Sequence, residues 1–146
     1  MGISNDARDF LEAAQIIRSQ KPVAFFTPAY FLVCQSIELS LKAYLRGSGY
    51  SDRQLRAVGH DLVKCVEAAK SEAVDEHVDL SEPDLAAIAL VNLYYLYKDL
   101  QYSTSGYKSF PDIDYLIALG DRIWRGLRQF CEKQRERHFG KPTAIP

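Results

Sequence analysis

Redox and metal-ligating residues are scarce in this 146-residue chain, which has three cysteines, three histidines and one methionine. Cys34, Cys65 and Cys131 are odd in number and too far apart for a CxxC pair. Each falls on an apolar helical pattern, which reads as a reduced core thiol and not as part of a disulfide or metal framework. His60, His77 and His138 are equally dispersed, and neither an HExxH motif nor a Cys/His cluster with ligand spacing is present. No metal and no cofactor are therefore expected. Glycine-rich phosphate loops and nucleophilic-triad patterns are also missing. Neither sign of charge dominates, because 18 Lys and Arg against 19 Asp and Glu leave a formal net charge of -1. No apolar run is long enough to span a bilayer, so no membrane contact is expected. The opening MGISNDARDF lacks the basic segment and apolar stretch of an export signal, so a cytoplasmic location is expected. Asp6 stands where a myristoylation signal that begins MG needs Ser or Thr.

Helical periodicity is what the chain has in quantity, on a composition of 47% hydrophobic and 25% charged residues. The length suits one core, and the pattern predicts one all-α domain over 1–140 with a frayed tail at 141–146. A first helix is expected over 5–20, with Phe10, Ala13, Ala14 and Ile17 inward. Thr27-Pro28 opens a second, reaching Arg46 and stopped by Gly47-Ser48-Gly49. Its stripe of Tyr30, Cys34, Ile37, Leu41 and Tyr44 is broad enough to make it the centre of the bundle. SDRQLRAV reads as a short amphipathic turn, Gly59 as a breaker and Asp61 as negative charge at the next helix start. Leu62, Cys65, Val66 and Ala69 then face inward. A fourth helix is expected over 83–102, capped by Ser81, with Leu85, Ile88, Ala89, Leu93, Leu96 and Leu100 inward. A flexible STSGYKSF loop leads to a fifth helix from Pro111 to about His138.

Within the central helix, SIELSLKAYL places Glu38 and Lys42 one turn apart among apolar residues. An exposed pair of this kind contributes roughly 0.3 to 0.5 kcal/mol. Glu38 falls instead between Cys34, Leu41 and Leu45 on the helical wheel, so it is expected to be half-buried, with Lys42 snorkelling over it. Two roles are open to it. It can hydrogen-bond a neighbouring helix end or Tyr hydroxyl and fix the register of the bundle, or it can line a polar cleft opposite His60. His60 itself, beside Gly59 and Asp61 at a helix start, reads either as a histidine bonded to its own loop or as a phosphate contact.

Glu38, Lys42 and Ala43 in IELSLKAYL, followed by Gly59 to Leu62 in VGHDL, resemble the HEPN family, the helical nucleotide-binding module of higher eukaryotes and prokaryotes. The likeness in helix order covers roughly Ser4 to His138. It implies an up-and-down bundle of four to five helices that commonly forms a homodimer, is associated with nucleotides or RNA, and works alongside a nucleotidyltransferase-type partner in toxin-antitoxin-like systems. Some members resemble metal-independent ribonucleases, whose signature is an Arg and a His with four to six residues between them near the start of a late helix. Here the pair with such spacing is Arg53 and His60, in RQLRAVGH, and it precedes the third main helix. The resemblance therefore implies a binding module more than a ribonuclease. Glu38, Lys42, His60 and Asp61 would line the ligand cleft, and Arg53 with His60 would form the catalytic pair of the alternative. A protein-interaction scaffold is the other alternative.

The last helix is locally basic. Arg122, Arg125, Arg128 and Arg135 could follow a nucleic-acid backbone, or they could complement the helix dipole and solvate the surface. Tyr94, Tyr95, Tyr97, Tyr102 and Tyr107 read as seam and interface aromatics, with base stacking as the second possibility.

Overall fold

A computed structural model describes residues 2–20, 27–98 and 109–140. Among them the chain is all-α, with six α-helices, one 3₁₀ turn and no strand. The helices are α1 (Ile3–Gln20), α2 (Thr27–Gly47), α3 (Asp52–Val58), α4 (Leu62–Ser71), α5 (Glu82–Leu96) and α6 (Ile113–Phe139), and the 3₁₀ turn covers Val74–Glu76. None is long and apolar enough to cross a membrane.

α2 is the centre because it is apolar on more than one side. Tyr30, Cys34, Ile37, Leu41 and Tyr44 are all buried, and so are Val33 and Leu45 on its flanks. It packs mainly against α1 and α6, and also against α4 and α5. Close approach requires small residues at two points. A Cβ on Gly47 would come within 2.8 Å of the Phe130 ring, and one on Gly126 within 2.8 Å of the His77 carbonyl.

The stretch read as a short turn folds as the seven-residue α3. Ser51 and Gln54 close a capping box at its start, and Gly59, at a positive φ of 68°, ends it. Asp61 caps α4 and Ser81 caps α5, as their side-chain types require. On α1 the buried face is Ala7, Leu11 and Ala14, centred beside the stripe expected from Phe10, Ala13 and Ile17. α5 departs further. Its buried residues are Asp84, Ala87, Ile88, Val91, Asn92 and Tyr95, while Ala89 and Leu93, expected inward, face solvent. This helix is apolar almost all round, so its periodicity does not select a face. Leu100 and Tyr102, the expected end of α5, lie outside the described residues, as do Tyr107 and the tail 141–146.

Two of the polar ties between helices involve α6. Asp84, 1% exposed, accepts hydrogen bonds from the Tyr115 hydroxyl and the Arg122 guanidinium, both at 2.6 Å, and from the Ser81 amide. Burial works against its charge, but these donors outweigh burial and hold its carboxyl well below the usual carboxylate range. Arg18 on α1 forms a fork with Asp114 on α6, at 2.9 and 3.1 Å.

Candidate functional site

The carboxylate of Glu38 is buried, at 1% exposure, where half-burial was expected. A lone carboxylate there would be costly, and three donors from three parts of the chain satisfy it. Lys42 Nζ, one turn along α2, reaches Oε1 at 2.7 Å. His60 Nδ1, from the link between α3 and α4, lies 3.0 Å from Oε1 and 3.2 Å from Oε2. The Tyr95 hydroxyl of α5 donates to Oε2 at 2.6 Å. Burial, and then the bond to Glu38, push the Tyr95 phenol far up and keep it a donor. Gln35 also meets that hydroxyl. The phenol has one proton, so the Gln35 contact is satisfied when its amide turns the NH2 toward the Tyr95 oxygen.

The local sequence sets this geometry. Gly59 breaks the chain between two helices and delivers His60 to the mouth of the cluster, while the Asp61 side chain anchors the start of α4 by accepting from the Val63 and Lys64 amides. Asn92 locks the same corner. Its carbonyl takes the Leu62 amide at 2.8 Å, and its amide donates to Asp61 Oδ1 at 3.1 Å. The Asp61 carboxylate thus points into the cap, next to the cluster.

Solvent reaches the site through His60, whose side chain is 72% exposed, whereas that of Lys42 is 13% exposed. As an acceptor, Glu38 fixes the tautomer with the proton on Nδ1. Nε2 then has no hydrogen-bond partner among the described residues. Such an imidazole can accept a proton or, when protonated, donate to an anionic oxygen.

Arg53 is exposed on α3 and is engaged by no ion pair among the described residues. The basic residues of α6 are divided. Arg122 is tied to Asp84 and Arg125 to Asp121, and Arg128 lies over the Trp124 ring at 5.4 Å. Arg135 stays exposed near the end of the helix. No group of three or more His, Cys, Asp or Glu suited to a metal ion occurs among the described residues.

The reading from sequence brought Glu38, Lys42 and His60 together and missed Asn92 and Gln35. It listed Tyr95 only with the seam aromatics. One signal was available, since Asn92 is the only amide in the uncharged run from Leu85 to Tyr97. A buried Asn needs polar partners, and Asp61 with the adjacent helix start offers them. No family model matches the chain, and no curated protein or solved structure does either.

Proposed function

We propose that this chain is a HEPN-like helical module that binds a phosphate-bearing ligand, a nucleotide or RNA, at the Glu38, Lys42 and His60 cluster. The observation that carries this reading is the pairing of a buried carboxylate held by three donors with an imidazole that is 72% exposed. Glu38 holds the ring from below, so the solvent face of the imidazole is presented in a fixed orientation. In this reading Glu38 orients His60, Lys42 supplies positive charge from beneath, and the outer face of the ring meets a phosphate oxygen. Asp61 holds the backbone that carries His60, and Arg135 is one of the exposed basic residues near the end of α6. The homodimer and the nucleotidyltransferase-type partner rest on the family resemblance alone.

Fluorescence anisotropy with labelled single-stranded RNA and with a labelled mononucleotide tests this reading. His60→Ala, at an exposed position, should leave the fold intact and weaken binding about tenfold, the loss of one good hydrogen bond. Lys42→Ala should weaken it as well. Unchanged affinity in both variants would remove the cluster from the binding site and favour the scaffold reading.

The Nε2 of His60, without a partner among the described residues, favours a second reading, a metal-independent ribonuclease. There His60 would act as general base and the exposed Arg53 would stabilise charge on the phosphorus centre. Cleavage of end-labelled RNA in EDTA that is lost in His60→Ala would establish it.

A further inference from the structure

A second concavity lies apart from the His60 cluster, where the start of α1, the end of α2 and the end of α6 converge. Its volume is about 770 Å³, within the roughly 300 to 1,000 Å³ typical of small-molecule sites. The walls combine apolar and aromatic surface, notably Ile3, Tyr50 and Phe139, with a basic rim of Arg46, Arg135 and His138. None of the described lining residues is Asp or Glu, in a chain whose acids slightly outnumber its bases. Arg46 is already engaged by Asp52. Arg135 has no ion pair among the described residues, so its guanidinium is open to an incoming anion. Phe139, 86% exposed, stands at the edge as an aromatic surface that no described residue covers.

We propose that this groove binds a small soluble organic anion, a carboxylate, sulfonate or phosphate borne on an aromatic or apolar body. The body lies against Tyr50 and Phe139. The anionic group meets Arg135, whose planar fork suits two oxygens at once. Sign of charge and size together make the selection. Carboxylates lining the groove would repel an anion, and none of the described lining residues is Asp or Glu, while the volume suits a single small molecule.

The test uses the intact chain and 1-anilinonaphthalene-8-sulfonate, an aromatic sulfonate that fluoresces when it leaves water, with the uncharged N-phenyl-1-naphthylamine as its neutral analogue. One saturable site is expected for the sulfonate, with weaker binding of the neutral dye. Arg135→Glu, at an exposed position, should weaken the sulfonate at least tenfold and leave the neutral dye unaffected. Gly2→Trp adds an indole to a lining residue of the groove, at a position where a Cβ meets no atom within 4 Å, and it should alter the binding of both dyes. His60→Ala should change neither, which separates this groove from the proposed phosphate site. Circular dichroism confirms that each variant is folded. Sulfonate binding that does not saturate, or that persists unchanged in both Arg135→Glu and Gly2→Trp, would overturn the proposal. Equal binding of the two dyes would overturn it too, by showing an apolar crevice with no preference for an anion.

Discussion

A single buried carboxylate gathers polar groups from α2, from the link between α3 and α4, and from α5. Glu38 has room for several hydrogen bonds and receives them from Lys42, His60 and Tyr95. Removing one donor should cost less than removing the acceptor. Tyr95→Phe is expected to lower stability by about 1.5 kcal/mol, the low end for a bond to a charged group. Glu38→Ala leaves Lys42 nearly buried without a counter-charge and should cost about 3 kcal/mol or more. Urea denaturation of the two variants measures both, and a smaller loss for Glu38→Ala would contradict this ranking. Asp84 supplies a pH dependence. Its folded-state carboxyl titrates below the ordinary 3.8, so the stability it contributes is complete above that value and is lost as pH falls toward the folded value. Acid denaturation of Asp84→Asn should therefore lack part of the drop that wild type shows below about pH 4. Identical acid limbs in the two proteins would remove Asp84 from the account.

Among the elements, the two most dissimilar are α2 and α5. Ile88→Ala on the inner face of α5 should cost about 3 kcal/mol, while Leu93→Lys on its outer face should stay within about 0.5 kcal/mol. Chemical denaturation distinguishes the faces, and equal losses would mean that the helix is buried all round. The contrast shows what the sequence could reveal. α2 was legible because Tyr30, Cys34, Ile37, Leu41 and Tyr44 repeat on a three-four spacing and all are buried. The caps at Asp61 and Ser81 were legible from side-chain chemistry alone. α5 was not, since thirteen residues from Leu85 to Tyr97 include no charge to mark the wet side. Its buried face is set instead by hydrogen bonds that Asn92 and Tyr95 make to residues 30 or more positions away in the chain. The α3 helix was hidden for another reason, since seven residues give too few turns for periodicity, and its capping box is the better signal. The candidate site was half legible. The i and i+4 pair Glu38 and Lys42 is local and His60 was read as facing it, but the parts played by Asn92 and Tyr95 depend on how α5 packs against α2 and α4.

Across the whole molecule, thiols report global opening. Cys34 and Cys65 are fully buried, and burial pushes the Cys65 thiol up to about 12 and the Cys34 thiol higher still. Cys131 is less enclosed and is raised to about 11. Labelling with a thiol reagent at neutral pH should modify Cys131 first, and Cys34 and Cys65 together at the rate of unfolding. Reaction of Cys34 well ahead of unfolding would show that the core around α2 opens locally. The three histidines serve a similar purpose, because they sit in three different places. His60 is at the Glu38 cluster, His77 packs between Tyr44 and Phe130, and His138 lines the groove at the end of α6. Their ring-proton resonances can be assigned by single His→Gln variants. The most direct test of the proposed binding role is to follow those three signals while short single-stranded RNA or a mononucleotide is added. Binding at the Glu38 cluster predicts that the His60 signal moves in a saturable way while the His77 signal stays still. Saturable binding that leaves His60 unmoved would contradict it.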